Sequence, residues 1–180
     1  GLTPGDLCCI PAAAGGPKGL ALLPLDKLLW RHWLPAGRSV ELIGASVGAW
    51  RMAALARPDA PAALDAVQHA YVHGQCYTAR PTLDEVSGAC RAIARAACGD
   101  GPLRYRPGVA LSIVTSRARG PLAQRHSKLA FGRAVLANAW SRRSLARHLE
   151  RVVFQGGAAS ALWRDDAFDD FGTTREGDVA

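Results

Sequence analysis

A chain of 180 residues, 49% of them hydrophobic, is long enough to bury one sizeable core, and its composition is that of a globular domain rather than a disordered or fibrous chain. The net charge of +7 raises nucleic acid and anionic membranes as partners. No basic segment precedes an apolar run at the N-terminus, and Leu20 to Leu25 is interrupted by Pro24 and closed by Asp26, which argues against a signal peptide or a membrane span.

In chain order, Leu7-Cys8-Cys9-Ile10 reads as a buried strand. It runs into Ala12-Ala13-Ala14-Gly15-Gly16-Pro17-Lys18-Gly19 and then into the largely apolar stretch Leu20 to Leu34. A glycine-rich turn between strand and helix exposes successive backbone N–H groups to an oxygen anion, which is what an oxyanion hole requires. Such turns also cradle phosphates, but G-x-x-x-x-G-K-[ST] is absent, and Gly19 follows Lys18 where a phosphate loop places Ser or Thr.

Ser39-Val40-Glu41-Leu42-Ile43 is the next strand, and Trp50 to Ala56 has helical composition. Between them lies Gly44-Ala45-Ser46-Val47-Gly48. A serine at a sharp strand-to-helix turn is a nucleophile candidate: Gly44 and Gly48 leave room where strand and helix approach, and the hydroxyl stands at the positive end of the helix dipole.

Gly15-Gly16-Pro17-Lys18-Gly19 followed, one helix and one strand later, by Gly44-Ala45-Ser46-Val47-Gly48 resembles the start of a patatin-like phospholipase. In that family a G-G-x-[RK]-G loop forms the oxyanion hole and the G-x-S-x-G serine attacks an acyl ester. The resemblance implies those roles for Gly15, Gly16, Lys18 and Gly19, and for Ser46 between the elbow glycines Gly44 and Gly48. It extends through Gly48-Ala49-Trp50-Arg51, Val109 to Thr115 and the Asn138 to Phe154 segment. It implies a three-layer α/β fold, a mostly parallel sheet flanked by helices, a lipid or other acyl ester as substrate, and no cofactor or metal.

The family completes its dyad with the aspartate of a D-G-[GA] motif downstream of the serine. The only Asp-Gly pair here is Asp100-Gly101, followed by Pro102 and placed before Val109 to Thr115. Residues 1–180 are therefore expected to form a single domain that is the N-terminal portion of a patatin-like hydrolase, with the C-terminal part missing, or a shortened relative of one, and to turn over poorly. Two alternatives stay open. One is an inactive hydrolase-fold module that binds lipid. The other is a serine–aspartate–histidine hydrolase, in which Asp100 with His126 or His148 satisfies the chain order.

Pro61 to Tyr77 reads as a helix with Leu64, Val67 and Tyr71 on one side. Thr82-Leu83-Asp84-Glu85 opens another as a capping box, with the stripe Val86, Ala89, Cys90, Ile93 and Ala97 at helical spacing. Gly99-Asp100-Gly101-Pro102 ends it and leads to the strand Val109 to Thr115. The alternation argues for a parallel sheet covered on both faces. His69 and His73, four apart, share a helix face as zinc ligands do, but Ala70 stands where a metalloprotease has Glu, and no metal is expected.

The five cysteines, Cys8, Cys9, Cys76, Cys90 and Cys98, form no C-x-x-C pair and cannot all pair within the chain. Buried or half-buried free thiols in a reducing compartment are the simplest account, which points to the cytoplasm. Arg104 to Arg151 holds eleven Lys or Arg against one acid, Glu150, a local balance of +10, whereas Asp165 to Asp178 in the acidic tail (about 165–180) carries −5. The basic block has sparse aromatics and no nucleic-acid motif, so nucleic acid is not expected; a solvated face is the simplest reading, and peripheral contact with anionic lipid the functional one.

Overall fold

The computed structural model describes residues 1–34, 37–123, 148–160 and 173–177. It is an α/β structure built on a five-stranded sheet in the order β1 (Cys9–Ala12), β2 (Val40–Ala45), β3 (Val109–Ala118), β4 (Leu149–Gly157) and β5 (Thr173–Gly177). Every neighbouring pair is parallel except β3 and β4, so the mostly parallel sheet expected from the alternation is present. β2 reads as a continuous apolar run because a central parallel strand is buried on both sides; Val40, Glu41, Leu42 and Gly44 are all buried.

The described helices share one core with a single face of that sheet. Val40, Leu42, Val109 and Leu111 point into a cluster with Met52 and Leu55 of α2 (Val47–Leu55), Leu64 and Val67 of α3 (Ala60–His73), Ile93 and Ala97 of α4 (Leu83–Cys98), and Leu23 of α1 (Leu23–Leu28). Eight of the nine residues of α2 are buried, and a helix apolar all round belongs at the centre of such a layer. Trp50 meets Tyr71 of α3 edge to face at 5.9 Å.

Two segments depart from the expected boundaries. The apolar stretch after the glycine loop is not one helix but a 3₁₀ segment (Gly16–Leu22), α1, and a π turn (Leu29–Trp33). Pro24 has no N–H to donate and restricts Leu23 before it, so an α-helix can accept it only in its first turn. α3 stops at His73 rather than Tyr77; Gly74 caps it, and Gln75 Nε2 and Cys76 Sγ fold back onto the carbonyls of Tyr71 and His73 at 3.1 and 3.3 Å.

The capping box at α4 is present, with Glu85 N–H donating to Thr82 Oγ1 at 3.2 Å and Thr82 N–H to Glu85 at 2.6 Å. Only the C-terminal half of its stripe reaches the core, however: Ile93 and Ala97 are buried, while Val86 and Cys90 are exposed. Gly88, in the middle of this helix, has nothing within 4 Å of where a Cβ would stand. Gly88→Ala is expected to stabilise the protein by about 0.5–1 kcal/mol, a rise of about 1–4 °C in Tm measured by circular dichroism.

All five cysteines are free. The expectation of buried or half-buried thiols holds for Cys9 and Cys98, whose pKa burial pushes up, and fails for Cys8, Cys76 and Cys90, which stand exposed on a strand edge, a loop and the open half of α4. Among the described residues no helix is long and apolar enough to cross a membrane.

Candidate active site

Ser46 follows the last residue of β2 and caps α2, with φ 54° and ψ −126°. It is the one described residue other than glycine with a positive φ, a conformation that costs of order 1–3 kcal/mol and persists only where the surroundings enforce it. They enforce it through Gly44 and Gly48. A Cβ on Gly44 would lie 2.5 Å from the Gly48 carbonyl oxygen, and one on Gly48 would lie 2.2 Å from that of Ala12. Strand, turn and helix therefore approach more closely than any side chain permits, and the serine is left exposed at the tip.

The glycine loop lies against this turn. β1 ends at Ala12, beside Gly44 of β2, and the chain enters the 3₁₀ segment through Gly15 and through Gly16 at φ +55°. Gly19 is buried, and a Cβ there would sit 2.6 Å from Val47 Cγ1, so the loop touches the residue that follows the serine. The first N–H groups of a helix have no partner within it; among the described residues, no loop or turn hydrogen bond uses those of Gly15, Gly16 or Val47. Gly15 and the Lys18 side chain are exposed and Gly16 half-buried.

A buried ion pair holds the two motifs together. Arg51, one turn into α2, donates from Nε and Nη2 to the two carboxylate oxygens of Asp26 in α1 at 2.7 and 2.8 Å. The side chains are 5% and 2% exposed. Sequence reasoning missed this pair; the available signal was a lone base, Arg51, inside an otherwise apolar run, and a single acid, Asp26, in the leucine-rich stretch before it. It also missed Glu41, buried on the far side of β2, whose Oε1 accepts from Ser112 at 2.9 Å and Ser160 at 2.6 Å.

The structure does not bring Asp100 to Ser46. Residues 99–108 connect α4 to β3 at the edge where the strands begin: Gly99 approaches Arg57, just beyond the C-terminal end of α2, and Arg106 N–H bonds the Ala56 carbonyl. Ser46 lies at the other end of α2, whose nine residues span about 14 Å. A cavity of about 440 Å³ opens on this remote side, lined by Arg57, Asp59, Cys98 and Asp100 among others. His148 precedes β4 and His126 lies outside the described residues. Among the described residues the Ser46 hydroxyl has no hydrogen-bond partner, so none of them is placed as its base.

The His69 and His73 rings lie 4.8 Å apart on the exposed face of α3, and among the described residues no three His, Cys, Asp or Glu gather as metal ligands do. The basic block is partly structural. Arg106 stacks over Trp30 at 4.8 Å, and Arg119 pairs through two nitrogens with buried Glu150 at 2.6 and 2.9 Å. Residues 124–147, and the acidic tail apart from β5, lie outside the described residues.

Compared with models of protein families, with curated proteins and with solved structures, the chain matches none.

Proposed function

We propose that this protein is a serine acyl hydrolase of the patatin-like kind, with a three-layer arrangement around its sheet, acting on a lipid or other acyl ester in the cytoplasm or at a membrane surface. The observation that carries the reading is the contact of Gly19 with Val47 beside the strained Ser46. It supports the reading because the glycine loop packs against the turn that carries the serine, at a helix N-terminus. Ser46 Oγ attacks the ester carbonyl carbon while a base takes its proton. The carbonyl oxygen becomes an oxyanion held by N–H groups of the Gly15–Gly19 loop and of Val47, the alcohol leaves with a proton, and water releases the acid from the acyl-serine.

The rate depends on the base. A positioned general base contributes about 10²–10⁴-fold, and the sequence has no D-G-[GA] motif to supply one. Steady-state hydrolysis of p-nitrophenyl butyrate is expected to run roughly two to four orders of magnitude below that of a hydrolase with its base in place. Ser46→Ala is expected to remove that activity with the fold intact by circular dichroism. A rate unchanged by Ser46→Ala refutes the proposal.

The unpartnered Ser46 hydroxyl favours a second reading, a lipid-binding module that has lost turnover. Acyl-lipid binding with no Ser46-dependent hydrolysis at any pH selects it.

A further inference from the structure

The segment after the glycine loop is folded inside out. From Pro17 to Leu28 every exposed residue except Lys18 is apolar: Pro17, Ala21, Leu22, Pro24, Leu25 and Leu28. Leu22, Leu25 and Leu28 are 46%, 49% and 48% exposed, whereas the acid between them, Asp26, is 2% exposed. An exposed leucine alone is ordinary, but a helix that turns its carboxylate inward while only Leu23 of its three leucines reaches the core departs from the arrangement water imposes.

The Asp26–Arg51 pair fixes that orientation, because α1 cannot roll its leucines toward the core without pulling the carboxylate off both guanidinium nitrogens. Lys27 is tied to Asp65 of α3. No described residue covers the ridge. Exposed cations stand at its two ends, Lys18 beside the loop and Arg31 beyond Leu28; the one acid within the segment, Asp26, is buried, and exposed Asp65 is paired with Lys27.

We infer that this ridge is a docking surface for a phospholipid assembly. The choice of occupant rests on the hydrolase reading. The ridge starts within one helical turn of Gly19, which touches the elbow, so a bilayer seated on it lies at the mouth from which an acyl ester would reach Ser46. Leucines enter the boundary between headgroups and acyl chains, and Lys18 and Arg31 meet the phosphates that every phospholipid headgroup carries.

Cosedimentation with sucrose-loaded phosphatidylcholine vesicles, with and without phosphatidylglycerol, tests the inference. Wild-type protein is expected to bind both, and the anionic vesicles more strongly. Leu25→Gln/Leu28→Gln, which keeps helix-forming residues at solvent positions, is expected to lower the partition coefficient at least about tenfold on both. Arg31→Gln should weaken binding mainly to the anionic vesicles, and the single variant Leu22→Gln gives an independent reading of the ridge.

The double variant is expected to keep wild-type hydrolysis of soluble p-nitrophenyl butyrate, so loss of vesicle binding and loss of the Ser46 chemistry are read separately. Vesicle binding that depends on the ridge, in a protein inert at Ser46, supports this inference and refutes only the hydrolase reading. Wild-type protein that stays in the supernatant with both vesicles, or a double variant that binds as wild type does, overturns the inference. So does a wild-type dimer in sedimentation velocity that the double variant dissociates, because the ridge then belongs to a second copy.

Discussion

Asp26→Asn is expected to destabilise the protein by about 3–5 kcal/mol, since removing one partner leaves an uncompensated buried charge. Arg51 stands 5% exposed with its Nε and Nη2 committed to Asp26, and an amide cannot return the lost charge. Urea unfolding followed by circular dichroism measures the loss, which corresponds to a Tm drop of roughly 6–20 °C at about 2–4 °C per kcal/mol. Replacing both partners, Asp26→Leu with Arg51→Met, removes the charge and the need for it together, and is expected to recover most of the stability. If the single variant unfolds as wild type does, the pair does not fix α1.

Gly48→Ala is expected to cost about 3 kcal/mol or more, the upper end of what overpacking does. The added methyl would stand 2.2 Å from the Ala12 carbonyl oxygen and 3.0 Å from that of Ala13. These are backbone atoms of the strand end and the loop, not the tip of a side chain that can swing away. Relief requires α2 to move off β1, which draws Ser46 away from the glycine loop, so reactivity at the serine falls along with stability. Gly16→Ala meets open space and only the strain of φ +55°, so it is expected to be the milder change, at about 1–2 kcal/mol. A fully stable, fully reactive Gly48→Ala protein contradicts this account of the elbow.

What could be read in the sequence was whatever neighbouring residues decide among themselves. The turn at Ser46 needs glycines two places either side, and the capping box needs Thr82 three places before Glu85; both were visible as spacing and both are present. The parallel pairing of β1, β2 and β3 followed from apolar strands separated by helices. Relations across elements were hidden. Asp26 and Arg51 lie 25 residues apart on different helices, and nothing local marks them as partners.

The burial of a stripe is likewise a tertiary fact. Val86 and Cys90 have the same helical spacing as Ile93 and Ala97, yet only the latter two meet the core. The chain order Ser, Asp, His admitted Asp100 as a triad member, but order carries no distance, and the fold places Asp100 at the far end of α2. For α1 the usual expectation of leucines inward and carboxylates outward holds for Leu23 and fails for Leu25, Leu28 and Asp26, because the carboxylate follows its partner Arg51 inward.

Central to the proposed function is Ser46 acting as a nucleophile beside the Gly15–Gly19 loop. Treatment with a fluorophosphonate, intact-mass measurement and peptide mapping test it most directly. The account predicts a single phosphonyl adduct on Ser46, slower than in a hydrolase with its base in place, absent from Ser46→Ala and further slowed in Gly48→Ala. Adducts spread over the chain's other serines, or labelling that proceeds equally in Ser46→Ala, contradict it.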